Sequence, residues 1–175
     1  MRAVEHRAGK GARLMRIYWT QPPSRIGISE RPRGGDWLSD DVRSWQEAGV
    51  DLVVSLVVPE EARELGLDSE EAECRAHGIA FRSFPIPDRG IPTRQTAALD
   101  LARSLASEAE DGKRVVVHCR QGIGRSGIIA AATLVALGRR PDEALVEVER
   151  ARGRPVPDTE EQRDWVLALN PRGAD

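Results

Sequence analysis

Cysteine and aromatic residues are both scarce in this chain of 175 residues: there are two cysteines, Cys74 and Cys119, and aromatics make up 4%. Two cysteines cannot supply the disulfide framework that staples small secreted domains. The fold must therefore rest on an aliphatic core, and the length fits one domain able to bury one. No apolar run approaches the roughly 20 residues that a membrane-spanning helix needs. Neither sign of charge dominates, with 26 Lys and Arg against 28 Asp and Glu. A net charge of −2 gives no reason to expect a nucleic-acid or membrane partner, so any attraction for an anion must be local. His and carboxylate residues form no cluster at ligand spacing, so neither a metal nor another cofactor is expected. Residues 1–15 carry Arg2, Arg7, Lys10 and Arg13 without the apolar centre of a secretory signal. They read as a basic, loosely held extension, with Met15 an alternative start, ahead of a domain over residues 16–170.

What the sequence does contain is concentrated between Val115 and Gly127. The β-branched run Val115-Val116-Val117 feeds a loop broken by Gly122 and Gly124, and an apolar helical pattern from Ile128 to Leu137 follows at once. A strand that ends in such a loop before a helix leaves several backbone N–H groups facing one cup, and the helix dipole adds partial positive charge there. Such a cup suits a phosphate-sized anion. Cys119 opens the loop, where free N–H groups and cations stabilise a thiolate. Arg125 closes it, and its planar fork can bind two oxygens of a tetrahedral oxyanion. Ser126 can hydrogen-bond the sulfur. Gly122, Gly124 and Gly127 also satisfy a dinucleotide fingerprint, but that arrangement needs a further parallel strand ending in an acid, and the chain after Pro141 reads as helix. A buried cysteine at a strand end explains neither Arg125 nor the glycines.

Residues His118 to Ser126 match the His-Cys-five residues-Arg-Ser/Thr loop, and the stretch resembles the small dual-specificity branch of the protein tyrosine phosphatase superfamily. That resemblance implies that Cys119 is a nucleophile passing through a phosphocysteine. It implies that the amides of Arg120, Gln121, Gly122, Ile123 and Gly124 bind phosphate together with Arg125, and that His118 supports the cysteine. It also implies a phosphorylated protein or peptide as substrate and, because a thiolate needs a reducing compartment, a cytoplasmic monomer. Phosphoinositides or other small phosphomonoesters are the alternative substrates. An inactive phospho-binding module is the alternative class.

Leaving-group departure needs a proton donor. The loop Pro85-Ile86-Pro87-Asp88-Arg89-Gly90-Ile91-Pro92 offers one carboxylate, Asp88, on a backbone restricted by proline. It resembles the family's general-acid loop. Near the C-terminus, Asp158 with Glu161, or Thr159 with Gln162, makes a capping box. Gln162 is read mainly as a cap and secondarily as a residue that positions water. Cys74 reads as a packed helix cysteine, with a reversible disulfide to the nucleophile as the family-based alternative.

The remaining pattern is α/β. Strands are expected at Leu14–Trp19, Arg25–Ile28, Asp51–Val58, Ile79–Phe84 and Val115–Val117, the first two as an antiparallel edge of a twisted, mostly parallel central sheet flanked by helices. Helices are expected from Asp40 to Ala48 with Ser39 as N-cap, from Pro59 to Leu65, from Ser69 to His77, and from Thr93 to Ala109. A helical C-terminal third follows, with helices after Gly124, from Pro141 to Ala151, and to Leu169.

Overall fold

In the computed structural model, residues 14–170 are described. Five strands form one sheet: Ile17–Trp19 (β1), Ile26–Ser29 (β2), Leu52–Ser55 (β3), Ala80–Ser83 (β4) and Val115–His118 (β5), in the order β1-β2-β5-β3-β4. Only β1 runs antiparallel, whereas β2 pairs parallel with β5, and β5 and β4 pair parallel with β3. The expected antiparallel edge is therefore a single strand. Ile26 and Ile28 explain the inner place of β2, since both are fully buried, as strands covered on both faces require.

Alternation along the central strands sends side chains into two cores. Leu52, Val54, Val115 and Val117 face one cluster, which they share with Ala98, Ala102 and Leu105 of helix Gln95–Glu110 (α4). The same cluster takes in Arg125–Ala136 (α5), Pro141–Arg152 (α6) and Glu160–Leu167 (α7). Val53 and Val116 face the other cluster, beneath Leu38–Glu47 (α1), Pro59–Glu64 (α2) and Glu70–Ala76 (α3). The expected helices are all present, with shifted ends. Helix α1 starts at Leu38 instead of behind a Ser39 cap, because a 3₁₀ turn over Gly35–Trp37 runs straight into it. The buried Asp41 braces that entry, taking the Arg33 N–H at 2.8 Å and its guanidinium at 2.6 Å. The flanking residue of α4 is Arg94, not Thr93, and no side chain caps it. Pro141 opens α6, and the Thr159–Gln162 box caps α7.

Helix α5 is buried from Arg125 through Val135, as a helix apolar on all sides must be. Its N-terminus therefore cannot drift relative to β5. The ends of β2, β5 and β3 lie in register, with Ser29 and Ser55 flanking His118, and the loop from β5 into α5 sits outside those carboxyl ends. That is where parallel α/β sheets place their ligand crevices. Met15, assigned by the sequence to the basic extension, is buried in the second core and donates its N–H to Ser44 Oγ at 2.8 Å. Residues 1–13 of that extension lie outside the described residues.

Candidate active site

The loop from Cys119 to Gly124 is organised by what its carbonyls do. The Arg120 oxygen accepts from Arg31 N–H, the Gly124 oxygen from Ile128 N–H, and the oxygen of His118 just before the loop from Leu56 N–H. Arg152, at the end of α6, donates Nε to Gly122 O at 2.8 Å and Nη2 to Gln121 O at 3.3 Å. Its side chain is only 8% exposed, lies 4.1 Å from the Tyr18 ring centroid and stands 3.7 Å from Glu30. By contrast, the N–H groups of residues 120 to 124 have no acceptor among the described residues. Carbonyls turned outward and donors left free make an anion nest at the α5 N-terminus. Gly122 permits the turn. Its φ is +66°, and a Cβ there would meet Ser29 O at 2.7 Å.

Cys119 sits at the base of the nest, 3% exposed, with Sγ 3.2 Å from Ser126 Oγ. A cavity of about 190 Å³ opens above it, lined by Asp88, Arg89, Arg120, Gln121, Arg125 and Asp158. That volume is below the several hundred Å³ of a drug-sized pocket and suits a phosphoryl group with its nearest substituent atoms. Cys119, Arg125, Asp88, Arg120 and Gln121 thus meet in one cavity. Gly122, Ile123 and Gly124, expected at the same site, are buried in the loop and are not among the residues that line the cavity.

Arg125 is 2% exposed and held from both sides. Its Nη1 and Nη2 reach the two oxygens of Glu61 at 2.6 and 2.9 Å, Nη1 also reaches Ile86 O at 3.1 Å, and Nη2 reaches Asp88 Oδ1 at 3.1 Å. Burial alone would lower the guanidinium pKa, but the Glu61 hydrogen bond and the nearby Cys119, Glu61 and Asp88 raise it. Burial likewise pushes Glu61 up, and the hydrogen bonds from Arg125 and the Val58 N–H, with the charges of Arg125 and Arg120, bring it below its ordinary value. The forked pair therefore stays charged inside the protein.

Beneath the cysteine, His118 is fully buried. Its Nε2 lies 2.6 Å from Glu70 Oε1, and its Nδ1 faces the Cys119 carbonyl at 3.3 Å. Contacts at both ring nitrogens fix the orientation of the ring. The Trp45 ring covers it at 5.7 Å between centroids. Gln162 is also fully buried. Its Oε1 accepts from the N–H groups of Asp158 and Thr159, and Nε2 donates to Gly90 O at 2.9 Å. It thereby ties the Asp88 loop to the start of α7 and does not face the cavity. Cys74 packs in the core on the opposite face of the sheet from Cys119. Burial, with Glu70 and Glu73 nearby, pushes its thiol up to about 12, so it is a packed cysteine and no disulfide links the two.

Glu61, Glu70 and Arg152 escape the sequence reading. The first two stand among acids of helix first turns, Glu60-Glu61 and Glu70-Glu71, which look like dipole complements. Arg152 looks like an ordinary basic last-turn residue.

A family model described as "Polymorphic toxin system, DSP-PTPase phosphatase" matches residues 26–139. The chain belongs to that DSP-PTPase phosphatase family. A protein tyrosine phosphatase domain-containing protein 1 from Mus musculus is 33% identical over 93 residues, covering 53% of this chain and 12% of that protein. The Danio rerio protein of the same name is 28% identical over 176 residues, covering 84% and 24%. The family domain thus spans at most about a quarter of these curated relatives. Among solved structures, Tk-PTP in its active form is 30% identical, with a TM-score of 0.68 and coverage of 87% of this chain and 99% of that one. Kinase associated phosphatase with its catalytic-site cysteine changed to serine has a TM-score of 0.78 and coverage of 89% and 97%. At 19% identity it speaks for the family's fold alone.

Two outcomes follow from this packing. Glu61→Gln keeps one neutral acceptor but leaves the buried Arg125 charge facing only Asp88 as counter-charge, and is expected to cost about 3 kcal/mol near neutrality, the low end for breaking a buried pair. Because the folded carboxyl lies below its ordinary value of 4.5, this stabilisation is fully present above that value. It is lost as pH falls through the lowered folded value, so urea melts of parent and variant should converge in acid. Arg152→Met should loosen the nest and raise KM and the vanadate inhibition constant about tenfold, or ~1.4 kcal/mol. Steady-state kinetics with an aryl phosphate and vanadate titration check it, and the leaving-group dependence of kcat should not change.

Proposed function

We propose that the protein is a cysteine-dependent phosphomonoester hydrolase, a protein tyrosine or dual-specificity phosphatase acting through a phosphocysteine. One observation carries this reading: the Cys119 sulfur lies at the base of a nest of unpaired amides, under the same small cavity that Arg125 and Asp88 line. In the first step the Cys119 thiolate attacks phosphorus in line, while the amides of residues 120 to 124 and Arg125 hold the three equatorial oxygens. The bond from phosphorus to the leaving oxygen breaks, and Asp88 supplies that oxygen with a proton. Ser126, at hydrogen-bond distance from the sulfur, stabilises the thiolate when it departs in the second step. There water attacks the phosphocysteine and returns a proton to Asp88. His118, clamped by Glu70, fixes the strand end from which Cys119 projects.

The proposed substrate is a phosphorylated protein or peptide, whose phosphoryl group and first ring atoms fit the cavity. A phosphoinositide is the second reading, favoured by the exposed Arg89 and Arg120 at the cavity and by fold likeness to PTPMT1 in complex with PI(5)P, at 19% identity and a TM-score of 0.66. Among the described residues no helix is long and apolar enough to cross a membrane. A thiolate nucleophile supports placing the protein in the reducing cytoplasm, and a site built wholly from one chain supports a monomer.

Cys119→Ser should abolish hydrolysis of p-nitrophenyl phosphate while retaining vanadate binding. Residual turnover in that variant would refute the nucleophile. Asp88→Asn should slow phenyl phosphates with poor leaving groups by about 10² to 10⁴, and activated ones far less. An equal loss across a leaving-group series would remove Asp88 from the acid role. Phosphotyrosyl peptides are expected to outcompete phosphoinositide vesicles as substrates, and the reverse order would establish the lipid reading.

A further inference from the structure

Hydrolysis of a phosphocysteine needs a water held in line with the P–S bond, on the side the leaving oxygen has vacated. Water has two O–H groups, and in the cycle above Asp88 removes the proton of one. Gln162 is not available for the other, since its side chain is buried and engaged with Asp158 N–H, Thr159 N–H and Gly90 O. Asp158 is differently placed. It lines the same cavity as Cys119, Arg125 and Asp88, and its carboxylate has no hydrogen bond or ion pair among the described residues. Its position is nevertheless fixed, because Gln162 grips the backbone N–H groups of residues 158 and 159. The carboxylate lies over the end of the phosphate-binding loop, so close that a Cβ on Gly124 would stand 2.5 Å from Asp158 Oδ2.

We infer that Asp158 holds the attacking water in the second step, an assignment that rests on the phosphocysteine reading above. The water oxygen bonds to phosphorus, and the P–S bond breaks with its electron pair returning to Cys119 Sγ. One water proton passes to the Asp88 carboxylate and restores the acid for the next cycle. The other O–H donates a hydrogen bond to Asp158, and its proton leaves with the phosphate. Asp158 has nothing to accept in the first step, because the leaving oxygen brings no proton. The two steps should therefore separate when Asp158 is changed.

The test is a single-turnover experiment with ³²P-labelled p-nitrophenyl phosphate, whose activated leaving group makes the first step fast. In Asp158→Ala, nitrophenol release should stay within about twofold of the parent, phosphate release should slow at least tenfold, and labelled enzyme should accumulate. Asp158→Asn keeps an acceptor oxygen and should release phosphate within a few-fold of the parent. Phosphate release that keeps pace with the parent in Asp158→Ala would overturn the assignment. So would equal slowing of both steps, which would mark a role in binding or packing. Labelled enzyme in the parent with no excess in Asp158→Ala would sink this inference alone. No labelled enzyme even in a denaturing quench of the parent, with phosphate released in step with nitrophenol, would overturn the phosphocysteine reading and this one with it.

Discussion

The architecture turns on a requirement that backbone seldom meets: a loop must be rigid while its N–H groups remain without partners. Regular structure cannot do this, because helices and sheets fix a chain by satisfying donors and acceptors together. Here the two are separated. The acceptors anchor the loop through Leu56, Arg31, Ile128 and the Arg152 fork, and the donors are left without acceptors among the described residues. The flanking elements supply the stiffness. Strand β5 is the middle strand of the sheet, and α5 is buried almost end to end. Donors fixed in advance need no reorganisation when charge arrives, which is what gives such a site its electrostatic strength.

Holding a guanidinium inside the protein beside a thiol poses a second problem. An unpaired buried charge costs several kcal/mol, and even a paired one gains little net stability over an apolar replacement. The Glu61–Arg125 fork is therefore better understood as the condition for keeping Arg125 charged and aimed than as a source of fold stability. The Glu70–His118 contact has the same character. Both acids come from the short helices α2 and α3 on the far side of the sheet, so that layer supports the site as well as covering the core.

The contrast between what was legible and what was not follows from distance along the chain. The nest could be read because Cys119, the glycines, Arg125 and Ser126 lie within eight residues, and their spacing alone implies one anion. Asp88 could be read because it is the sole carboxylate in a proline-bound loop. The parallel sheet was legible in the apolar runs at Val53 and Val115, although the sense of β2 was not, since strand direction depends on partners chosen through tertiary packing. Glu61 and Glu70 lie 64 and 48 residues from the groups they hold. Nothing local distinguishes them from neighbouring acids that point to solvent. Arg152 is hidden in the same way. The start of α1 was misplaced because Ser39 is a good cap by type, while the 3₁₀ turn that displaces it is set by Gly34 and Gly35 packing against the backbone of residues 65 and 66.

The Asp88–Arg125 contact has a kinetic meaning beyond geometry. The exposed Asp88 carboxylate occupies Nη2, one of the two guanidinium nitrogens that a phosphate would also seek. On the proposed mechanism a phosphoryl group reaching this nitrogen would compete with a resident carboxylate, so Arg125 would exchange Asp88 for the substrate while keeping Glu61. Affinity for the anion is then set against an internal competitor, so neutralising Asp88 would ease entry into the cradle even as it removed the proposed donor.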